Sequence, residues 1–446
     1  MKRLSLLAAV CLLALATSAT ASDWSRFRGP DGSGVAEGEP IPMEWSTSSN
    51  LLWRIELPGK GVSSPIVHGD RLYVTTYTGY GQDAEAPGNP EDLVRHLLAF
   101  DRTSGEELWR FSVASSGDED PYQGFITQHG YATSTPVTDG EHVYVVFGKS
   151  GLFAVNLEGE QVWQKDLGRM SDPARWGDAS SPVLVDGVVV VNAGILSRKV
   201  LGLDKATGEE LWSLQDDGYN SSWSTPAVHR GAERTQVLVH FPKQIMGLDP
   251  RTGEKLWWAT SPLGDATSPS IVAQGGIAYL MGSREGHGMA VRVDGTGDVS
   301  ETHTVWKERV RAGTATPVIV GDALYWSSNG IFMALSRETG ELVFRARLPR
   351  KGEATGRFPN AEYSSPIAFD GDKIVQFTRN GESYIIEAGR EFKVLSHNAP
   401  LDGDGTAFSA TPAIQDGALF VRSESWLYSF SAGAATEPTD ETASVR

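Results

Sequence analysis

A Ser/Thr-Pro dipeptide followed by small or β-branched apolar residues recurs eight times in this chain, and nothing else constrains its fold as tightly. The prolines are Pro65, Pro136, Pro182, Pro226, Pro269, Pro317, Pro366 and Pro412. Successive spacings are 71, 46, 44, 43, 48, 49 and 46 residues. A period in the forties has room for four short strands and their turns, which is one propeller blade. The wide first interval carries two insertions, Gly79 to Arg95 and Ala114 to Thr133.

Each unit reads alike. In the first, Ser64-Pro65-Ile66-Val67 opens a short strand, where proline is tolerated at the first position. His68-Gly69-Asp70 is a tight turn, and Arg71 to Thr75 alternates as a second strand. Leu97 to Phe100 is a third and Glu107 to Phe111 a fourth, joined by a Gly-containing hairpin turn. The Asp-Gly turn returns at Asp139, Asp186, Asp370 and Asp416. Helical periodicity is absent, so the chain reads as all-β.

The last hairpin of each unit is the most specific signal: Ala/Gly-x-Asp-x-x-Thr/Ser-Gly-x-x-x-Trp. It appears as Ala99, Asp101, Ser104, Gly105, Trp109, and again as Gly202, Asp204, Thr207, Gly208, Trp212. A third copy is Gly247, Asp249, Thr252, Gly253, Trp257, and weaker ones end at Trp163, Trp306 and Phe344. A flat ring buries much area between two twisted sheets, and Asp and Thr side chains cap the turn. This pattern resembles the tryptophan-docking repeat of the pyrroloquinoline-quinone (PQQ) propeller family, from Leu51 to Phe430. The resemblance implies an aromatic packed between neighbouring blades at Trp53, Trp109, Trp163, Trp212, Trp257, Trp306 and Phe344.

The last unit offers three strands, and Leu51 to Leu57 reads as a fourth with Trp53 in place. The expected fold is therefore an eight-bladed β-propeller of four-stranded antiparallel blades, closed by an N-terminal strand in the last blade. Closure hides edges that an open sheet would expose. Seven blades with one stray unit is the alternative count.

Residues 1–21 read as a signal peptide: Lys2 and Arg3, an apolar run from Leu4 to Leu15, then Ala19-Thr20-Ala21. A periplasmic or secreted protein is expected. Residues 22–50 read as an extension packed on the propeller, residues 51–431 as the propeller, and residues 432–446 as a disordered tail. The only cysteine, Cys11, lies in the leader. Without Lys2 and Arg3 there are 37 basic against 56 acidic side chains, a net charge of −19. That balance argues against nucleic acid and anionic membrane surfaces. No apolar run is long enough to span a membrane.

Catalytic signatures are absent: no Gly-x-Ser-x-Gly elbow, no His-Glu-x-x-His, no cysteine pair. Asp402-Gly403-Asp404-Gly405 reads as a plain turn rather than a calcium loop, and no metal ligand set is expected. The segments just before the anchors are the candidate site, because they rim the channel of a propeller. Asp178, Asp265 and Glu362 stand four residues before a proline, and Trp223 and Tyr363 three before. The same loops carry Trp176, Tyr219, Arg311 and Arg357. These residues suit a pocket for a sugar, a peptide or a cation; equally, the acids cap strand ends and the aromatics fill loops. His129 and Tyr131, in the second insertion, are expected to overhang the same mouth.

The resemblance extends to outer-membrane β-barrel assembly factor B, a non-catalytic eight-bladed member. It implies a scaffold that binds a protein or peptide of the envelope, without cofactor, as a monomer. Two alternatives stand. One is a quinoprotein dehydrogenase using PQQ with calcium, whose members carry a vicinal cysteine pair that this chain lacks. The other is a carbohydrate-binding or lyase propeller.

Overall fold

Eight four-stranded antiparallel sheets follow one another in chain order around a central channel, each strand lying beside the next in sequence. The computed structural model describes residues 23–264, 266–283, 286–350 and 363–434. The expected leader and residues 435–446 lie outside them. Blade 1 consists of Ile66–His68, Arg71–Thr78, Val94–Asp101 and Glu107–Ala114, from the channel outward. Innermost strands are two to four residues long in every blade. Middle strands are covered on both faces by neighbouring blades and so read as continuous apolar runs; Val188–Ala193 is buried at every position. Outermost strands alternate between half-buried and exposed, as in Leu51–Glu56.

The ring closes as the sequence implies. Leu51–Glu56 pairs antiparallel with Trp426–Ser431, completing the eighth sheet. Arg422 staples the seam. It is 1% exposed, and its guanidinium donates to the carbonyls of Gly61 at 2.7 Å and Thr75 at 2.9 Å in the first blade.

The docking aromatics sit between blades. The indole N–H of Trp53 donates to Arg102 O in the next blade's hairpin turn; Trp109 likewise meets Leu157 O, Trp163 meets Lys205 O, Trp212 meets Pro250 O and Trp306 meets Arg337 O. Each ring lies against the glycine of that turn: a Cβ on Gly208 would stand 2.6 Å from the Trp163 ring. Trp257 departs from this scheme. Its N–H turns to Gln236 Oε1 of its own blade at 2.6 Å, and the longer connection of the fifth blade instead lays Gly297 beside it as a parallel strand. Phe344 has no N–H and packs only by its ring, against Tyr325, Phe332 and Phe392.

The N-terminal extension enters the channel rather than covering an outer face. Trp24 O accepts from Val67 N of blade 1, Ser25 O from Thr138 N of blade 2, and Gly34 O from Ala368 N of blade 7. Val35–Ala36 then runs parallel beside Ile367–Phe369 as a fifth strand. Arg28, 1% exposed, reaches Thr316 O, Pro317 O and Pro366 O with its two Nη atoms. Burial lowers its pKa to about 9, so it stays charged at neutral pH. On the outside of blade 4, Gly297–Asp298 adds parallel to Lys255–Thr260.

One repeat assignment is corrected. In blade 5 the residue equivalent to the anchor proline is Ile271, two positions after Pro269, because Ser270 occupies the place that Thr225 and Thr316 occupy in the flanking blades. Ser268-Pro269 imitates the anchor in sequence, but the hydrogen bonds around the channel set the register.

Candidate functional site

Strand alternation turns the residues one and three positions before each anchor toward the channel. One position before, the eight units supply Ser64, Thr135, Ser181, Thr225, Ser270, Thr316, Ser365 and Thr411. These side chains form a closed circle. Ser64 N donates to Thr135 Oγ1 at 2.9 Å, Thr135 N to Ser181 Oγ at 2.9 Å, and Ser181 N to Thr225 Oγ1 at 3.1 Å. Thr225 N, Ser270 N and Thr316 N continue to the next hydroxyl at 3.0, 2.9 and 3.0 Å. Ser365 N reaches Thr411 Oγ1 and Thr411 N returns to Ser64 Oγ, both at 3.1 Å. Accepting one N–H leaves each hydroxyl its own proton and a second lone pair.

Three positions before the anchor stand Val62, Thr133, Ala179, Trp223, Ser268, Thr314, Tyr363 and Ser409. With the hydroxyl circle they wall a cavity of about 160 Å³. Phe27 of the channel segment lies against the circle and closes it from the far side. Phe125, His129 and Trp176 lean in from loops. The aromatics form a continuous wall: Trp223 to Trp176 at 5.2 Å, Trp176 to Phe125 at 5.1 Å, and Phe125 to Tyr363 at 6.1 Å between ring centroids.

These rings are held in place. Trp223 Nε1 donates to Gly177 O at 2.7 Å, and Trp176 N to Asp172 Oδ2 at 2.6 Å. His129 Nε2 lies 2.8 Å from Trp176 O, which requires a proton on that nitrogen, and Nδ1 lies 2.8 Å from Thr133 Oγ1. Burial lowers the His129 pKa to about 4, so the imidazole is neutral at pH 7. Phe125 rides on the 3-10 turn Gly124–Gln128. Two buried ion pairs pin its loop: Arg95 with Glu119, at 2.9 and 2.6 Å, and Lys149 with Asp120 at 3.3 Å. Beneath them Tyr80, Tyr122 and Tyr131 of the two insertions build a small aromatic core with Tyr77 of the second strand of blade 1.

The sequence candidates divide. Trp176, Trp223 and Tyr363 meet at the mouth. Asp178 does not face it. Its carboxyl lines an adjoining chamber of about 30 Å³ beside Arg95, Glu119 and Lys149. Desolvation raises its pKa to about 7, and Oδ1 is buried without a hydrogen-bond partner. Tyr219 is corrected: it is 4% exposed and stacks on Phe241 at 4.4 Å, in the core between blades 3 and 4. Arg311 is corrected too, since it lines a groove between blades 5 and 6 with Arg309 and Arg345. Asp265, Arg357 and Glu362 lie outside the described residues. Tyr131 packs away from the mouth, in the aromatic core. Phe27 and Phe125 were not among the candidates. Seven of the eight circle hydroxyls stand immediately before an anchor proline, and the eighth, Ser270, stands immediately after Pro269.

Among the described residues lining the cavity there is no Asp, Glu, Lys or Arg. The one tight group of metal-ligating side chains among the described residues, Asp139, Glu141 and His142, lies elsewhere, on a turn of blade 2. There Lys205 Nζ already stands 2.7 Å from Asp139 Oδ2 and 3.5 Å from Glu141 Oε2. No helix among the described residues is long and apolar enough to cross a membrane.

Comparison with known proteins gives three results. A family model described as outer membrane protein assembly factor BamB matches residues 94–346. No curated protein matches. Solved structures share the fold. BamB from Moraxella catarrhalis aligns with a TM-score of 0.57 at 14% identity, over 87% of this chain and 98% of that one. Quinohemoprotein alcohol dehydrogenase from Comamonas testosteroni gives 0.63 at 12%, over 97% and 83%. A europium-containing methanol dehydrogenase gives 0.61 at 11%, over 92% and 98%.

Proposed function

The chain belongs to the PQQ-like propeller family of outer membrane protein assembly factor BamB, and from that premise we propose that it is an exported, non-catalytic binding propeller. The observation that carries this reading is the composition of the mouth: rings and hydroxyls, with no charged side chain in the described lining. Such a surface holds a ligand by shape, stacking and hydrogen bonds, and its described lining supplies no fixed charge for a developing transition state.

The quinone of the dehydrogenase relatives does not fit it. PQQ is a tricarboxylate, and burying it beside calcium calls for cationic partners and carboxylate ligands. The described lining offers neither, and the only cysteine, Cys11, leaves no pair to cover the quinone. The carboxyl of Asp178, one residue before Ala179 of the wall, opens into the side chamber.

A protein partner of the cell envelope is the second reading, favoured by the rim. Leu52, Leu108, Val162, Leu211, Val305 and Leu342 stand exposed on outermost strands, one to a blade. Gly297–Asp298 demonstrates that such an outer edge accepts a further strand.

The test is a thermal titration with PQQ and calcium chloride, followed by dye reduction with primary alcohols as substrates. The melting temperature is expected to stay put and the dye to remain oxidised. A stabilisation approaching about 2.7 kcal/mol at hundredfold excess over Kd, with dye turnover, overturns the proposal.

A further inference from the structure

We propose that the mouth cavity receives a neutral, polyhydroxylated ligand: the terminal ring of an uncharged saccharide. This rests on the reading of the propeller as a binder and names what it binds. Three features of the cavity converge on that chemistry.

The first is two-sidedness. Trp223, Trp176, Phe125 and Tyr363 present one connected aromatic wall, while the opposite wall and the base are hydroxyls. A sugar ring is built the same way, with an apolar C–H face and a polar rim. An aromatic wall stacks on the first, and hydroxyls that both donate and accept match the second.

The second is neutrality. No carboxylate, ammonium or guanidinium belongs to the described lining, and burial keeps its one titratable imidazole, His129, neutral at pH 7. A phosphate or uronate would meet no opposite charge in the described lining itself, the cation beside it being Arg379, whose guanidinium lies over the Tyr363 ring at 5.0 Å. A wholly apolar ligand fails for the converse reason, because it would strip water from the hydroxyl circle and return no hydrogen bond.

The third is shape. Phe27 blocks the channel behind the circle, so the cavity is blind and of a size for one ring rather than a threaded chain. The walls are preorganised by the Trp223 and His129 hydrogen bonds and by the ion pairs under the Phe125 loop, which reduces the ordering that binding must impose.

The experiment uses the full chain and isothermal titration, read in parallel by tryptophan fluorescence. The probes are maltotriose, cellotriose, xylotriose and chitotriose, with trigalacturonate and indole as contrasts. At least one neutral trisaccharide is expected to bind saturably and trigalacturonate to be silent. Trp223→Leu is expected to weaken that binding about tenfold or more, and Trp223→Phe, which keeps a ring, to lose less. Trp258→Leu on the outer rim serves as a folded control, and circular dichroism establishes that all three variants fold. Silence of all four neutral trisaccharides overturns the proposal, as does preference for trigalacturonate or equal binding by Trp223→Leu. Indole binding with silent saccharides sinks the ligand class but leaves the binding pocket, whereas dye turnover with PQQ and calcium sinks the non-catalytic reading instead.

Discussion

Asp178 holds its carboxyl in a chamber too small for bulk water, and desolvation moves its pKa from the usual carboxylate range to about 7. In the unfolded chain the same group titrates near ~4. The folded protein therefore binds the proton more tightly. The resulting stabilisation is complete below pH ~4, is lost as pH rises toward 7, and is gone above it. Asp178→Asn keeps the shape and removes the titration. Relative to the parent, it is expected to gain stability at pH 8, on the order of a few kcal/mol, and to gain little at pH 4. Urea denaturation of both proteins across that range is the check, and a pH-independent difference would contradict the assignment. Trp176 and Trp223, flagged with Asp178 from the same loops, came together at the mouth, while Tyr219 did not. The difference is packing: Tyr219 found Phe241 to stack on, and a ring that is satisfied in the core is not offered to a ligand.

At the scale of the element, the hairpin turn and its docking ring act as one unit. Gly187 and Gly208 both hold positive φ, at 85° and 73°. Gly187 has open space where a Cβ would go, whereas at Gly208 it would lie 2.6 Å from the Trp163 ring. Gly187→Ala is expected to cost about 1–2 kcal/mol for the backbone conformation alone. Gly208→Ala adds displacement of the ring and is expected to cost at least about 1 kcal/mol more. Equal losses in chemical denaturation would show that the ring does not depend on this approach. The strands and turns were readable because each rests on local chemistry: period-two alternation, Asp-Gly turns, proline at a strand start. The fifth unit was misread by two residues because Ser268-Pro269 has the local chemistry of an anchor. Only the hydrogen bonds through Ser270, whose Oγ accepts from Thr225 N and whose N–H donates to Thr316 Oγ1, reveal the register.

At the scale of the whole molecule, the ring depends on closure between residues more than 300 positions apart. Arg422 carries much of that seam, buried, with its charge spread over carbonyls of the first blade. Arg422→Met leaves those carbonyls unserved and is expected to destabilise by about 3 kcal/mol or more. Calorimetry would register it as a lower, still cooperative transition, and an unchanged transition would remove Arg422 from the closure. The channel segment is the other global feature. Its Trp24, Phe27 and Arg28 touch blades distant in sequence, and together they turn an open tube into a blind cavity.

The amino-acid order alone determined the blade count, the closing strand and the docking of rings at hairpin turns, since each repeats a short-range pattern eight or nearly eight times. It also carried seven of the eight circle hydroxyls immediately before an anchor proline, Ser270 of the fifth unit being the exception. The tertiary structure decided what no single repeat contains: that Phe27 closes the channel, that Phe125 arrives from an insertion, and that Asp178 faces a side chamber. Those outcomes depend on where a non-repeating segment finds unpaired backbone and unfilled volume once the ring is closed, and such places exist only after the eight blades meet.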